Sequence, residues 1–395
     1  MNNKYIFTSE SVTEGHPDKV CDQISDSILD AILEQDPEAR VACETMITQG
    51  QAIISGEITT LADIEYTTIV ENALKRIGYT TEELGATSTL SKNKHFHIQH
   101  NIVSQSPHIA QGVDVSQDHE QGAGDQGLMF GFACNETPEL MPLPIQLAQK
   151  LSYRLSKLRK DKTLTWLKPD GKSQVSVEYE NDKPVKVTSV VIATQHENLL
   201  GKFKTEKAEH QFITDNINKH VIIPVLDEYN TDYDDNFIVN GTGRFVIGGP
   251  LADTGLTGRK IIVDTYGGYA RHGGGAFSGK DASKVDRSAA YMARYIAKNI
   301  IASKLADKCE VQLAYSIGVA DPISVNVNTF NTGKIDDYKL VNIVKETFPL
   351  KPQEIIDHLK LKNPIYTPLS AYGHFGRNGY EWEKTNMIEE ILRKK

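Results

Sequence analysis

The sequence predicts a mixed α/β (α+β type) protein of three similar two-layer domains, each with helices packed on a mainly antiparallel sheet. Two observations support this prediction. The chain has 395 residues, which is long for a single hydrophobic core, so two or three domains are expected. A hairpin pattern followed by a helical pattern also occurs three times, beginning near positions 40, 173 and 309 at spacings of 133 and 136 residues. Because residue identity among the three copies is negligible, chance recurrence of a common pattern is the alternative.

The first unit begins with a short strand at residues 5–7. Apolar residues then recur at helical spacing, as at Val20, Ile24 and Ile28, behind Pro17, a residue that the first turn of a helix tolerates. The β-rich runs 40–47 and 52–59 flank the turn TQGQ and predict a hairpin, and a second helix follows at about 63–77.

The same order of elements follows twice more. The second unit has a helix at 143–159, a hairpin of 173–179 and 185–194, and a helix at about 206–220. The third has a helix at 284–306, a hairpin of 310–319 and 324–329, and a helix at 336–348. We therefore expect domains at 1–110, 111–236 and 237–395, the last of which carries a glycine-rich segment.

That segment, residues 241–287, contains twelve of the chain's 29 glycines together with seven Lys and Arg residues. Glycine lets the backbone approach a ligand closely, and interleaved cations with backbone N–H groups suit an anionic ligand. We interpret the segment as a polyphosphate site; a run of tight turns with solvated basic residues is the alternative. Residues 274–280, GGAFSGK, fit the spacing of a P-loop, but Asp281 stands where Ser or Thr should bind Mg²⁺, and the supporting strand expected at 260–264 ends too early.

Bulk composition limits the possible partners and location. The net charge of −9 argues against nucleic acid as the main partner, because such proteins usually present a broad basic face. Four widely spaced cysteines without a CxxC pattern suit a reducing compartment. Since no apolar run is long enough for a membrane span or a signal core, we expect a cytoplasmic protein without a membrane partner.

Several polar residues outside the glycine-rich segment also carry possible chemistry. His16 and Asp18 flank Pro17: a carboxylate suits Mg²⁺ and a protonated imidazole can donate to an oxyanion, although a capping Asp beside a surface His is equally compatible. Glu44 and Glu57 lie in otherwise apolar hairpin strands, where they face either a cation or solvent. Residues 92–121 contain five histidines and few apolar residues; we expect a mobile lid there rather than a metal cluster.

Specific motifs across the chain resemble those of the S-adenosylmethionine synthetase (methionine adenosyltransferase) family. They are GHPDK (15–19), ACETM (42–46), GEITT (56–60), GAGDQG (122–127), DGKSQV (170–175), GRFVIGGP (243–250), GLTGRKIIVDTYGG (255–268), RHGGGAFSGKDASKVDRSAAY (271–291) and YGHFGR (372–377). The resemblance covers essentially the whole chain. It implies three domains in pseudo-threefold arrangement, a homodimer with active sites between subunits, and frequently a dimer of dimers (a homotetramer). It departs at Thr254, where some members have Cys, and in the stretch SKNKHFHIQH before Gln105.

The resemblance implies the reaction of methionine, ATP and water to give S-adenosylmethionine, pyrophosphate and phosphate. It places ATP and tripolyphosphate contacts at His16, Asp170, Lys172, Arg244, Phe245, Asp253, Arg259, Lys260, Ala276 and Lys280. His16, Lys172, Arg259 and Lys280 carry the implied catalytic roles. Methionine contacts fall on Glu57, Gln105, Asp125, Asp253 and Lys284, two Mg²⁺ on Asp18 and Asp286, and one K⁺ on Glu44. The loop from about 105 to 117 corresponds to the family's gate.

Two other functions are compatible with parts of this pattern. An ATP phosphotransferase or ATPase would use the near P-loop and would make ADP without methionine. A non-catalytic nucleotide-binding module would need the anion site but not His16, Asp18 and Asp286 together.

Overall fold

The computed structural model describes residues 3–85, 96–105 and 121–395, which form helices and three sheets. The strands are β1 (Lys4–Val12), β2 (Arg40–Thr48), β3 (Gln51–Thr59), β4 (His97–Val103), β5 (Gly127–Cys134), β6 (Leu167–Glu180), β7 (Lys183–His196), β8 (Asp232–Tyr233), β9 (Phe237–Val239), β10 (Gly255–Leu256), β11 (Lys308–Tyr315) and β12 (Ser324–Asn328). The helices are α1 (Pro17–Leu33), α2 (Tyr66–Ile77), α3 (Leu143–Lys160), α4 (Leu200–Phe203), α5 (Glu206–Ile217), α6 (Ile223–Glu228), α7 (Ile261–Asp264), α8 (Val285–Ala302), α9 (Asp337–Thr347), α10 (Pro352–His358) and α11 (Ile388–Arg393).

Each sheet contains one of the three predicted hairpins. The first sheet has the order β1-β6-β7-β8, with β9 also paired to β7; the second is β10-β2-β3-β4, and the third is β12-β11-β5. The pairs β3–β4, β7–β8 and β7–β9 are parallel, whereas the other pairs are antiparallel. The predicted fold class, mixed α/β with mainly antiparallel sheets, is therefore confirmed.

The sheets exchange strands between distant parts of the chain. β1 runs antiparallel to β6, with Lys4 opposite Glu180 and Val12 opposite Lys172. β5 joins β11 in the third sheet, and the short β10 joins β2 in the second. Each sheet thus combines its own hairpin with a strand from another predicted segment, and the domain boundaries at 110 and 236 stay a prediction.

Helices cover one face of each sheet and enclose two hydrophobic clusters. α1 packs on β2, α3 on β1 and β6, and α8 on β5 and β11. One cluster combines the second and third sheets with α1, α2 and α8, and the other lies between α3, α5 and the first sheet. α8 is buried on all sides, and its fully buried Arg287 and Arg294 form ion pairs with Asp26 and Glu383. Paired charges of this kind are tolerated inside a core.

Three local predictions were wrong. Residues 261–264 form a short helix rather than a strand, because a brief apolar run has no periodicity that separates the two. Residues 97–103, inside the predicted lid, form the edge strand β4 beside β3, with Ile98 and Ile102 packed against the core. The helix expected at 206–220 continues through a π-helical turn to Glu228.

The rest of the predicted gate after Gln105, at about 106–117, lies outside the described residues. Within the described ranges, no helix is both long and apolar enough to cross a membrane.

Candidate active site

The turn before α1 places His16 and Asp18 at a buried helix N-terminus. His16 is the N-cap, and Pro17 takes the first helical position, where a missing N–H costs no hydrogen bond. The Tyr79 hydroxyl donates to the carbonyl of Gly15 and fixes the turn. His16 is 3% exposed and Asp18 2%, so both side chains depend on protein partners.

The Asp18 carboxylate binds the glycine-rich segment. Its Oδ1 accepts a hydrogen bond from the backbone N–H of Leu256 at 3.0 Å, and its Oδ2 accepts one from Lys260 Nζ at 2.6 Å. Arg259 Nε lies 3.7 Å from Oδ1. Burial alone would raise the pKa of Asp18, but the hydrogen bonds from Lys260 and Leu256 lower it below its ordinary value. Because His16 fills the cap position, Asp18 is not merely a capping residue.

The His16 imidazole is neutral in the ligand-free chain. Its Nδ1 accepts a hydrogen bond from the backbone N–H of Asp18 at 3.2 Å, so the ring proton is assigned to Nε2. Burial, followed by the charges of Lys260 and Lys172, lowers the pKa of His16 to about 3. In the single chain, a buried ring beside two lysines thus disfavours the protonated form of His16. A neutral Nε2–H donor remains.

Asp170, Lys172 and Asp253 lie near this turn. Asp170 is 8% exposed, and its Oδ2 accepts from the backbone N–H of Gly249 at 2.9 Å. Burial raises the pKa of Asp170 to about 6, with a smaller contribution from Asp253. Lys172 is an exposed residue of β6. We call His16, Asp18, Asp170, Lys172, Asp253, Arg259 and Lys260 the first cluster.

Arg244 and Phe245 lie at the end of β7, where other side chains already bind them. The Arg244 guanidinium donates to Glu209 Oε2 at 2.7 Å and to Asn198 Oδ1 at 2.6 Å. The backbone of Phe245 donates to His196 Nε2 at 3.1 Å and accepts from the His196 N–H at 2.9 Å. A nucleotide contact by Arg244 would therefore use a guanidinium whose orientation is already set.

The remaining predicted cations lie on a different part of the second sheet. Residues 279–281 pair with β2 as a short extra strand, with a bridge between Ala42 and Lys280. This bridge places Lys280 on the β2 face that does not contact the core. Lys280 Nζ donates to Asp286 Oδ2 at 2.6 Å, and Lys284 forms an ion pair with Asp281. Lys280 is thus held by a carboxylate in the first turn of α8, and Lys284 by a carboxylate of the segment that pairs with β2.

Glu44 and Glu57 share that outer face. In the register of β2 and β3, Glu44 lies opposite Ser55 and Ala42 opposite Glu57, so the two carboxylates are diagonal neighbours. Both residues are exposed in the single chain. Partial burial, followed by the charge of Glu57, raises the pKa of Glu44, whereas Lys280 and Lys284 oppose this shift. Their exposure in the single chain agrees with the solvent-face alternative. We call Lys280, Lys284, Asp286, Glu44 and Glu57 the second cluster.

Three other predicted site residues, Gln105, Asp125 and Ala276, belong to neither cluster. Gln105 follows β4, and its N–H donates to Thr59 Oγ1 at 3.1 Å. Asp125 is exposed before β5. Ala276 lies against Gly258, where an added Cβ would come within 2.7 Å of the Ala276 Cβ. Ala276 therefore supports the segment that carries Arg259.

The charged side chains pair within each cluster. Lys260 and Arg259 pair with Asp18, and Lys280 pairs with Asp286. Among the residues that the structure describes, no ion pair joins the first cluster to the second. A cavity of about 280 Å³ adjoins Arg259 and Lys260, whereas another of about 300 Å³, lined by Tyr153 and Tyr372, contains no predicted site residue. In the single chain, the basic residues of the two clusters therefore pair with different carboxylates.

The P-loop alternative has no structural support. Lys280 lies within the strand-like pairing with β2, and α8 begins only at Val285. In a P-loop the helix begins at the lysine, so that its N-terminal N–H groups cradle the phosphates.

The structure adds residues that sequence analysis missed. Asp22 and Asp26 of α1 bind the backbone of Gly258 and Gly279, next to the basic residues of both clusters. Their signal was present in the sequence, because aspartates recur every four residues along α1.

Comparison with known proteins extends this picture. The chain combines a mixed α/β fold with two clusters in which lysines pair with carboxylates. Three domain families match consecutive parts of the chain: the N-terminal domain of S-adenosylmethionine synthetase at residues 4–107, the central domain at 120–245, and the C-terminal domain at 247–384. The S-adenosylmethionine synthase of Clostridium tetani (strain Massachusetts / E88) is 54% identical over 397 residues, which cover 98% of each chain. The chain belongs to the S-adenosylmethionine synthetase family.

This membership confirms the predicted activity. The protein is an enzyme, a methionine adenosyltransferase that forms S-adenosylmethionine from methionine and ATP.

Proposed function

We propose that the methionine sulfur attacks C5′ of ATP and displaces the whole tripolyphosphate, which is hydrolysed to pyrophosphate and phosphate before release. A thioether is a neutral nucleophile that needs no deprotonation, so the site needs no serine or cysteine nucleophile with its base. The barrier lies in the leaving group, where negative charge grows on the bridging oxygen as the C–O bond breaks. Preorganised donors and cations aimed at that oxygen would stabilise the transition state. The supporting observations are the His16 Nε2–H donor beside the charges of Lys172 and Lys260, and the lysines of the second cluster.

We assign the roles to the residues of the two clusters and their neighbours. His16 donates its Nε2–H to the bridging oxygen, and Lys172, Arg259 and Lys280 supply cations to the tripolyphosphate. The wider ATP site comprises Asp170, Arg244, Phe245, Asp253, Lys260 and Ala276. The methionine site comprises Glu57, Gln105, Asp125, Asp253 and Lys284. The neutrality of His16 matters for its hydrogen bonds. In the neutral ring, Nδ1 accepts the Asp18 N–H, and Nε2–H is left to act as the donor.

We propose that each active site joins the first cluster of one subunit to the second cluster of another. Each cluster contains one carboxylate already paired with a lysine, Asp18 with Lys260 and Asp286 with Lys280. Glu44 and Glu57, on the outer face of the second sheet, are exposed in the single chain, so this face can contact a second subunit. A symmetric homodimer would then contain two identical sites, and a dimer of dimers four.

Mixed dimers test this arrangement. Lys260→Ala removes a cation of the first cluster, and Lys280→Ala removes one of the second. A purified heterodimer of these two inactive variants should regain about half of wild-type turnover, because one of its two sites combines two intact clusters. Turnover is measured as S-adenosylmethionine, pyrophosphate and phosphate formed from ATP and methionine.

The matched control carries both changes in one chain. A heterodimer of wild type with the Lys260→Ala/Lys280→Ala double variant should be inactive, because each shared site then lacks one cation. If each chain contains its own complete site, the heterodimer of the two single variants should be inactive. The heterodimer of wild type with the double variant should then have about half of wild-type turnover. Those results would overturn the shared-site proposal.

The donor atoms of the clusters suit the metal ions that the family uses. Within the described ranges, no group of three or more His, Cys, Asp or Glu could hold a metal by itself. Mg²⁺ is commonly bound by one or two carboxylates with substrate phosphates, so we assign two Mg²⁺ to Asp18 and Asp286. The adjacent carboxylates of Glu44 and Glu57, with the raised pKa of Glu44, suit K⁺ at Glu44. When bound, these cations neutralise phosphate charge and the excess charge of the glutamate pair.

Potassium dependence checks the role of Glu44. Replacing K⁺ by tetramethylammonium should lower wild-type turnover about tenfold, and Glu44→Gln should be nearly insensitive to K⁺. Because K⁺ prefers the ionised carboxylate and burial raises the pKa of Glu44, the half-saturating K⁺ concentration should increase as pH falls towards that pKa. Glu71→Gln, on an exposed face of α2, is the matched control. A Glu44→Gln variant with the K⁺ response of wild type would place the ion elsewhere.

Two alternative functions would give different products. An ATPase or phosphotransferase would release ADP without methionine, and a non-catalytic nucleotide-binding module would release no methionine-dependent product.

We propose the cytoplasm as the location, because the free cysteines are all buried and no described helix could span a membrane.

A further inference from the structure

Four aspartates form a ladder along α1. They occur every four residues, so their side chains share one face at intervals of about 6 Å. They are Asp18, Asp22, Asp26 and Asp30, and each is 9% exposed or less. Each carboxylate accepts at least one backbone N–H from a segment more than 200 residues away. Carboxylates that accept backbone N–H groups form strong, charge-assisted hydrogen bonds.

Asp22 holds the backbone just before the basic pair of the first cluster. Its Oδ1 accepts from the N–H of Gly258 at 2.9 Å, and its Oδ2 accepts from Lys19 Nζ at 2.9 Å. Lys19 also pairs with Asp264 at the end of α7. Asp22 and Lys19 thus hold both ends of residues 258–264, between which Arg259 and Lys260 project.

Asp26 holds the backbone of the second cluster in the same way. Its Oδ1 accepts from the N–H of Gly279 at 2.8 Å, and both its oxygens accept from Arg287 at 2.7 and 2.9 Å. The Arg287 guanidinium in turn donates to the carbonyl of Lys280 at 3.2 Å. Gly279 has φ +82°, and an added Cβ would lie 1.9 Å from the carbonyl oxygen of Cys43. Asp26 therefore fixes the peptide group before Gly279 and, through Arg287, the peptide group that follows Lys280.

Asp30 binds a segment without basic site residues. Its two oxygens accept from the N–H groups of Tyr366 at 3.0 Å and Thr367 at 2.7 Å. Asp30 lies on the same helix and also accepts backbone N–H groups from a distant segment, which makes it an internal control for that contact.

We propose that Asp22 and Asp26 are positioning residues that set Lys260 and Lys280 at fixed places through one rigid helix. Neither aspartate reaches substrate: each acts through the backbone that carries a lysine. Because α1 fixes both backbone segments, the two half-sites keep a constant geometry when chains assemble. This inference rests on the proposed function, in which both lysines bind the departing tripolyphosphate.

The test uses Asp22→Asn, Asp26→Asn and Asp30→Asn, each with and without Lys260→Ala or Lys280→Ala. Asparagine keeps the shape but weakens the hydrogen bond to the backbone. A displacement of about 1 Å can cost up to about 100-fold in rate, so kcat should fall about 10- to 100-fold for Asp22→Asn and Asp26→Asn. Asp30→Asn should stay within about twofold of wild type in kcat per folded molecule.

Non-additivity separates positioning from general stability. If Asp22 acts through the segment of Arg259 and Lys260, Asp22→Asn should lose part of its effect in Lys260→Ala, where Arg259 still depends on it, and keep its full factor in Lys280→Ala. Asp26→Asn should keep its full factor in Lys260→Ala and lose almost all of it in Lys280→Ala. Equal losses for all three aspartates, or multiplied losses in every background, would overturn the inference. Asp26→Asn leaves Arg287 without a carboxylate and is the variant at risk of misfolding. In Asp22→Asn, Lys19 still forms its ion pair with Asp264, so this variant is expected to fold. The double-mutant cycle of Asp22 is therefore sufficient to test the inference if Asp26→Asn misfolds.

Failure of the proposed function has a different signature. Wild type would then form no methionine-dependent pyrophosphate and phosphate, or Lys260→Ala and Lys280→Ala would retain wild-type turnover. Failure of the positioning inference leaves these results unchanged and alters only the aspartate cycles.

Discussion

Lys280→Ala is expected to lose about 10²–10³-fold in kcat, the cost of removing one preorganised contact to a developing oxyanion. The side chain projects from the pairing with β2, and it forms a 2.6 Å ion pair with Asp286. In the proposed reaction, tripolyphosphate competes for this ammonium, and its charge is needed most as the C–O bond breaks. The measurement is the initial rate of S-adenosylmethionine formation together with thermal unfolding.

The stability of Lys280→Ala should change little. The Lys280 and Asp286 side chains are 22% and 28% exposed, and partly exposed pairs contribute about 0–1 kcal/mol after solvent screening. Lys186→Ala is a matched control, because Lys186 pairs with Asp234 at 3.0 Å on an exposed part of the first sheet. It should retain full turnover. Comparable losses of turnover and stability in Lys280→Ala would make Lys280 a structural residue.

His16→Asn should also lose about 10²–10³-fold in turnover while the protein stays folded. Asparagine is a favourable N-cap, so it replaces the Nδ1 acceptor that binds the Asp18 N–H, but it does not reach the position of Nε2–H. His16→Gln extends an amide N–H towards that position and should recover part of the rate at some cost in stability. If His16→Asn turns over like wild type, the imidazole is only a cap.

The lowered pKa of His16 predicts how acid affects this protein. The unfolded histidine takes up a proton near pH 6.5, whereas the folded one does so only near pH 3. The unfolded state therefore binds more protons between these values, and stability falls as pH decreases through this window. At pH 5 this histidine should cost about 2 kcal/mol relative to pH 7, a penalty that His16→Asn removes. Urea unfolding of both proteins at pH 7 and pH 5 measures the difference.

Local pattern predicted the hairpins and the long helices well. The runs 40–47 and 52–59 correspond to β2 and β3, and the periodicity after Pro17 corresponds to α1. It failed at 261–264, where three apolar residues followed by Asp264 suit either a strand or a helix. It also missed β4, whose two isoleucines are spaced among His, Gln and Asn residues.

The residue types of the candidate site were predictable from motifs, but the ion pairs between its carboxylates and lysines were not. The sequence shows Asp18, Lys260, Lys280 and Asp286 without showing which carboxylate binds which lysine. Asp18 and Lys260 are separated by 242 residues, so only chain topology brings them to 2.6 Å. The state of His16 likewise depends on burial and on two lysines, Lys172 and Lys260, that come from other elements.

The sequence by itself determined the periodicities of the elements, the supply of glycines and cations, and the family. Tertiary structure decided which strands share a sheet, which charges neutralise each other, and what covers the aspartate face of α1. A run of aspartates every four residues would ordinarily indicate a solvated helix face. Here that face is buried under the two segments that carry the basic residues, because backbone N–H groups rather than water satisfy its carboxylates.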